Sequence, residues 1–169
     1  FGEAAALLAG DALLTLAFEA LVRETPVHRP VPLMVAALAR AAGWAGMVGG
    51  QMEDLEAEGR PPDVERVRRI HLGKTAAMVS VSFQLGALAG GAASAAAETL
   101  GGAGRKFGLA FQIVDDLLDV EGQTEDLGKA AGADAALAKM TWPAVVGVTV
   151  ARQDAALLVN EATRACPAG

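Results

Sequence analysis

The sequence contains no tyrosine, and aromatic residues make up only 4% of its 169 residues. A hydrophobic core therefore has to be built from small and medium aliphatic side chains, because hydrophobic residues still account for 53% of the chain. These are mostly alanine, leucine and valine, with few β-branched runs. Such a composition favours helices that pack closely together.

Cysteine and positive charge are also scarce. Cys166 is the single cysteine, so no internal disulfide can form. This fits a reducing compartment, and we expect a cytoplasmic protein. The net charge is −6, whereas a nucleic-acid-binding surface would show a basic patch, so we expect no nucleic-acid partner.

Residues 76–97 lack any charged side chain and are long enough to span a bilayer. The stretch nevertheless holds several glycines and polar side chains, among them Ser80, Ser82 and Gln84. This polar content favours a buried bundle helix over a membrane span. The chain also opens directly into a helical pattern, without the basic segment that begins a secretory signal.

The apolar pattern predicts an all-α fold, because alternation typical of strands and internal repeats are both missing from the sequence. We expect one helical domain over residues 1–169. Proline and glycine clusters divide the helical patterns. The predicted helices cover residues 1–23, 33–58, 64–97 and 144–165, and a further helix starts near residue 107 after a glycine-rich connection at residues 98–104.

The most informative stretch is residues 107–143. At 100° per residue, a helix brings Gln112, Asp115, Asp116 and Asp119 into one arc of roughly 100°. Apolar residues fall on the other side, which we expect to carry the packing. No lysine, arginine or histidine lies between positions 107 and 128, so the three carboxylates have no counter-charge nearby in sequence.

Two interpretations of this acidic face compete. A solvated face, on which water screens the repulsion, is the commoner outcome for an acidic run. The other is a site for Mg²⁺, which favours one or two carboxylates together with substrate phosphates. Lys129 and Lys139 follow the acids, and isolated lysines suit contacts with phosphate oxygens. The order of acids and lysines therefore favours a metal-bridged polyphosphate.

The ordered set of motifs resembles the second aspartate-rich region of the trans-prenyl diphosphate synthases, the farnesyl and geranylgeranyl diphosphate synthase family. A bare DDxxD is weak evidence, but here the complete series is present. It comprises Phe111-Gln112, Asp115-Asp116, Asp119, Gly128-Lys129, Gly132-Ala133-Asp134 and Lys139-Met140-Thr141. Two earlier patterns are similar to the same family, namely Gly50-Gln51 with Asp54 and the pair Lys74-Thr75.

The resemblance implies an antiparallel helical bundle of the isoprenoid synthase type around a central cavity, in a homodimer. It implies head-to-tail condensation of isopentenyl diphosphate with dimethylallyl, geranyl or farnesyl diphosphate, which begins with Mg²⁺-dependent ionisation. More than one Mg²⁺ is expected, and Mn²⁺ is possible. The implied roles are metal binding by Asp115, Asp116 and Asp119, diphosphate binding by Lys74, Lys129 and Lys139, orientation of the diphosphate by Thr75 and Gln112, and lining of the allylic cavity by Gln51 and Asp54.

Members of this family carry a first aspartate-rich motif and basic residues for isopentenyl diphosphate, which we expect upstream of Phe1. The C-terminal helices of the family also look clipped. We therefore expect a fragment, a chain with further flexible ends, or a non-catalytic partner subunit, and residues 1–169 alone should be inactive. A class I terpene cyclase is a weaker alternative, because its second metal motif has Asn and Ser or Thr instead of the later aspartates. Product length depends on residues before the first motif and is not predicted.

Overall fold

The acidic stretch lies in the second half of the longest helix of the protein. The computed structural model describes residues 2–121 and 139–166. Every regular element in these two ranges is helical, so the all-α prediction is confirmed. The elements are α1 (Glu3–Glu24), α2 (Val31–Ala42), α3 (Met47–Ala57), α4 (Val64–His71), a π-helical turn (Leu72–Ala76), α5 (Ala77–Gly90), α6 (Ser94–Glu121), α7 (Trp142–Val146) and α8 (Val148–Ala165).

Helix α6 is the centre of the packing, with α5 on one side and α8 on another. The short connection after Gly90 makes α5 and α6 antiparallel neighbours. The main core cluster joins α4, the π turn, α6, α7 and α8, and it includes Val67, Ile70, Ala76, Leu109, Ile113, Leu117, Met140, Trp142, Ala151 and Ala155. A second, smaller cluster brings together Met34, Leu88 and Ala97.

The predicted glycine-rich connection at residues 98–104 is wrong, because this segment is part of α6. Two of its glycines, Gly101 and Gly104, lie on the side of α6 that faces α5. A Cβ atom on Gly104 would lie 2.9 Å from Cγ of Phe83, and one on Gly108 would lie 2.5 Å from Cα of Ala76. The glycines therefore allow two helices to approach closely, which offsets their low intrinsic helix propensity.

A second close approach joins α3 to the π turn. A Cβ atom on Gly50 would lie 2.1 Å from the backbone nitrogen of Lys74. Only glycine fits at such a contact, so close backbone approach accounts for the glycine at this position. The predicted helical region 33–58 is divided at residues 43–46, between α2 and α3.

The structure agrees in part with two other predicted helix boundaries, the start of α4 and the extent of the C-terminal helix. Asp63 caps α4 by accepting hydrogen bonds from the backbone N–H groups of Glu65 and Arg66 at 3.0 and 3.3 Å. The predicted helix over residues 144–165 is interrupted at Gly147, whose φ of +84° separates α7 from α8.

By length and composition alone, two stretches are apolar enough to cross a membrane, Glu3–Glu24 and Val31–Ala57. The second is divided between α2 and α3, and 28% of its most apolar window is buried. Such stretches are weak evidence for a span, because core helices and signal sequences also have these properties. The charge-free segment 76–97 does not form one continuous helix, because α5 ends at Gly90.

The glycine contacts predict a contrast between two positions of α6. Replacing Gly108 by alanine forces a methyl group into the Ala76 backbone, so we expect a loss of about 1–3 kcal/mol in the free energy of unfolding. Gly102 is exposed and has nothing within 4 Å of its would-be Cβ. Alanine there should be neutral or stabilise by up to about 1 kcal/mol. Urea unfolding of both variants measures the difference, and equal effects would contradict the close-approach explanation.

Candidate active site

A polar pocket of about 110 Å³ lies where α3, the π turn and its preceding helix, α6 and the segment before α7 meet. It is smaller than the cavities that hold drug-sized ligands, and most of its accessible wall is polar. Its lining includes six of the predicted site residues. The described residues around it are Asp54, Ile70, His71, Lys74, Gln112, Asp115, Asp116, Lys139, Met140 and Thr141.

The π turn carries Lys74 and Thr75, and their side chains contact two different helices. Nζ of Lys74 lies 2.7 Å from Oδ2 of Asp54 on α3. Oγ1 of Thr75 donates a hydrogen bond of 2.8 Å to Oε1 of Gln112 on α6. Single π turns inside helices are frequent at functional sites. Here the turn joins α3 and α6 through two adjacent side chains.

Gln112 links Thr75 to the aspartates. Its carbonyl oxygen accepts the bond from Thr75, so its amide nitrogen points towards the acids. That nitrogen lies 3.3 Å from Oδ2 of Asp115 and 3.4 Å from Oδ1 of Asp116. An amide donor between two carboxylates reduces their mutual repulsion and keeps both near the pocket.

Asp116 is buried, with 4% of the residue exposed. Its Oδ2 accepts a hydrogen bond of 2.7 Å from the backbone N–H of Trp142 and lies 3.3 Å from Nε2 of His71. Burial of an ionised carboxylate is unfavourable unless such donors compensate for the lost water. The solvated-face interpretation therefore does not describe Asp116.

The other predicted residues occupy different environments. Asp115 is half-buried and lines the pocket. Asp119 is only 1% exposed and is not among the lining residues, so its role as a metal ligand stays a prediction. Gln51 is exposed and does not line the pocket. Lys129 lies outside the described residues.

The assignment of packing to the apolar side of α6 was partly wrong. Ile113 and Leu117 are buried as expected. Phe111, Val114 and Leu118 are 64%, 42% and 48% exposed. The helix is thus buried through a strip that includes Asp116 and Asp119, and part of its apolar surface faces outwards.

Sequence reasoning missed the partners that hold Asp116. The structure places His71 against Asp116 and stacked on the Trp142 ring, with centroids 5.9 Å apart. The scarcity of aromatic residues could have drawn attention to Trp142, because each of the few aromatic side chains in this sequence is a candidate for a special structural position.

The oxygen atoms of Asp115 and Asp116 fit Mg²⁺ bound together with a phosphate ligand. Within residues 2–121 and 139–166, no group of three or more His, Cys, Asp or Glu side chains forms a metal site. Two carboxylates are nevertheless a common protein contribution to Mg²⁺ when phosphates and water supply the remaining ligands. Lys74 and Lys139 line the same pocket and can contact those phosphates.

Comparison with known proteins gives consistent matches. The sequence model of the Polyprenyl synthetase family matches residues 1–166. The farnesyl diphosphate synthase of Escherichia coli (strain K12) is 46% identical over 166 residues, which are 96% of this chain and 56% of that protein. Geranylgeranyl pyrophosphate synthase 12, chloroplastic, of Arabidopsis thaliana is 45% identical over 168 residues, 96% of this chain and 47% of that protein.

A solved structure shares the helical fold. The geranyltransferase from Helicobacter pylori, complexed with magnesium and isoprenyl diphosphate, superimposes with a TM-score of 0.83 at 31% identity. The match covers 98% of this chain and 54% of that one. The chain thus spans about half the length of the curated relatives it matches.

The environments of Asp115 and Asp116 predict different effects on stability. Asp116→Ala leaves a buried N–H of Trp142 without its acceptor, so we expect a loss of about 1–3 kcal/mol in the free energy of unfolding. Asp115→Ala should change it by only a few tenths of a kcal/mol, because the substitution mainly removes like-charge repulsion. Urea unfolding without added metal tests this contrast, and equal losses would contradict a structural role specific to Asp116.

Proposed function

The chain belongs to the polyprenyl synthetase family, and from this premise we propose that the whole protein is a prenyl diphosphate synthase. It would join isopentenyl diphosphate head-to-tail to an allylic diphosphate, namely dimethylallyl, geranyl or farnesyl diphosphate. The observation that carries this proposal is the polar pocket, in which Lys74 and Lys139 meet Gln112, Asp115 and Asp116. A non-catalytic partner subunit has no need to keep this set together.

Lys74 is the best-placed group to bind the diphosphate of the allylic substrate. Its side chain is 31% exposed, and its partner Asp54 is 11% exposed. The ion pair therefore lies at the boundary between protein and pocket, where the ammonium group can contact a phosphate oxygen while Asp54 limits its orientation. Lys139 lines the same pocket. We propose that Lys129 contributes a third positive charge.

Thr75 and Gln112 would orient the reacting end of the substrate. Their hydrogen bond fixes the side-chain amide, so its dipole is already aligned when the substrate arrives. Such preorganised dipoles stabilise developing charge without reorganisation during the reaction. Gln51 and Asp54, both on α3, would line the allylic cavity on the side of Lys74.

Asp115 and Asp116 would hold Mg²⁺, and we propose that Asp119 supports the same centre. More than one ion is expected, and Mn²⁺ could replace Mg²⁺. When bound, the metal would neutralise negative charge on the departing diphosphate. The H. pylori relative was crystallised with magnesium and an isoprenyl diphosphate, which supports this proposal.

The reaction starts when the allylic carbon–oxygen bond breaks, and the diphosphate leaves with the electron pair. The double bond of isopentenyl diphosphate then attacks the allylic cation to form a carbon–carbon bond. Loss of a proton from the resulting cation gives the lengthened prenyl diphosphate. Water would destroy the cation, so an apolar cavity has to exclude it. Exposed apolar side chains of α6, such as Phe111 and Leu118, are available to line this cavity.

We also propose that the whole protein is a homodimer. Helix α1 has no buried residue, and its Leu7, Leu8 and Leu13 are 70%, 66% and 66% exposed. A second copy would cover such an apolar surface. Sedimentation of the whole protein at micromolar concentration should give a dimer, and a monomer would contradict this proposal.

Replacement of Asp115 by alanine in the whole protein tests the proposed active site. The change removes one preorganised electrostatic contact, so turnover should fall by about 10²–10³-fold or more. The free energy of unfolding should change little, because Asp115 is half-buried and other residues of α6 carry the packing. Steady-state kinetics with isopentenyl and allylic diphosphates at limiting Mg²⁺ measures the effect.

Glu98→Ala is the matched control, because Glu98 is an exposed carboxylate on the same helix and does not line the pocket. It should leave turnover unchanged. Near-normal turnover of the Asp115→Ala variant at limiting Mg²⁺ would overturn the metal-site assignment.

A further inference from the structure

Trp142 connects the candidate site to α8 through atoms at opposite ends of the residue. Its backbone N–H donates a hydrogen bond of 2.7 Å to Oδ2 of Asp116. Its indole Nε1–H donates one of 2.9 Å to Oδ2 of Asp154. We propose that Trp142, held by Asp154, is a positioning residue that fixes Asp116 and Lys139 for diphosphate binding. This inference rests on the proposed function.

The first part of the argument concerns the carboxylate of Asp116. Trp142 acts on it directly through the backbone N–H, and indirectly through the face of its ring. The ring stacks on His71 with an interplanar angle of 22°, and Nε2 of His71 lies 3.3 Å from the same Oδ2. Both contacts lie on one oxygen, so they set the carboxylate plane. Oδ1, which lies 3.4 Å from Nε2 of Gln112, is therefore the oxygen best placed to bind metal.

The second part concerns Lys139, three residues before Trp142 in the sequence. Consecutive residues span at most about 3.6 Å each, so the backbone of Lys139 stays within about 11 Å of an anchored Trp142. Met140 and Thr141 between them are buried, at 6% and 8% exposure. The anchor thus limits how far Lys139 can move from the pocket that it lines.

Asp154 determines which way the indole ring faces. A buried indole N–H generally requires an acceptor, and a carboxylate gives a stronger hydrogen bond than a neutral group. Trp142 is 7% exposed, whereas Asp154 is half-buried on α8. Because α8 also packs against α6, the bond ties the start of α7 to the helix that packs against the aspartate-bearing α6.

The alternative is that Trp142 only fills the core, to which it belongs. Changes at Asp154 separate the two roles without altering the ring. Asp154→Leu keeps the side-chain size but removes the acceptor. Asp154→Asn keeps both the size and an acceptor oxygen. Trp142→Phe keeps an aromatic ring and the backbone bond to Asp116 but removes the indole donor.

The test is calorimetric binding of inorganic diphosphate to the whole protein, with and without Mg²⁺. Residues that hydrogen-bond to metal ligands and orient them typically change metal affinity or activity by about 10–100-fold. We expect Asp154→Leu and Trp142→Phe to weaken the Mg²⁺-dependent binding by about this factor. Asp154→Asn should bind within about threefold of the parent, because its amide oxygen can accept the indole bond. The KM for the allylic diphosphate should rise in the two weakened variants.

Leu88→Val is the control for stability, because Leu88 belongs to the second core cluster with Met34 and Ala97. It should lower the melting temperature and leave diphosphate affinity unchanged. Unchanged affinity in Asp154→Leu would overturn the positioning role, whatever its melting temperature. An equal loss in Asp154→Asn and Asp154→Leu would also overturn it. Absence of Mg²⁺-dependent binding in the parent protein would instead overturn the proposed function.

Discussion

The candidate site depends on the compensation of one buried carboxylate. Asp116 is almost completely enclosed, and an ionised group in that position is costly unless donors replace its lost water. Its polar partners come from three separate parts of the chain, namely His71 at the end of α4, Gln112 on α6 and the backbone of Trp142 at the start of α7. Leaving a buried polar or charged group without its partners commonly costs about 1–3 kcal/mol or more. Asp116 therefore links three segments that line the pocket.

Close backbone contact makes this convergence possible. Glycine at position 50 lets α3 touch the backbone of the π turn, and glycine at position 108 lets α6 touch Ala76 at the end of that turn. The π turn thus packs directly against the backbones of two helices. Lys74 then reaches Asp54 on one side, and Thr75 reaches Gln112 on the other. A side chain in place of either glycine would increase the helix separation and weaken both contacts.

These contacts explain which features could be predicted from the sequence. Helices and motifs follow from local patterns, so the all-α fold and the pocket residues Lys74, Gln112, Asp115 and Lys139 were within reach. Residues 98–104 were misread as a loop because helix propensity is local, whereas Gly101 and Gly104 are explained by their contact with the neighbouring α5. The bonds from Trp142 to Asp116 and Asp154 join residues 26 and 12 positions apart. No helical periodicity encodes such pairs.

Helical periodicity alone also did not reveal that the two adjacent acids, Asp115 and Asp116, occupy different environments. Asp115 and Asp116 are one residue apart, so their side chains diverge by about 100° around the helix axis. A divergence of this size is enough to place one carboxylate at the pocket wall and the other against Trp142 and His71. The second carboxylate is enclosed, with the Trp142 N–H and the His71 ring at one oxygen, and the first is only half-buried and keeps more access to solvent. The pair therefore offers one enclosed carboxylate and one that is more accessible. Mg²⁺ demands near-octahedral geometry, keeps several waters and uses one or two protein carboxylates beside phosphates, so a pair of this kind fits its ligand requirements.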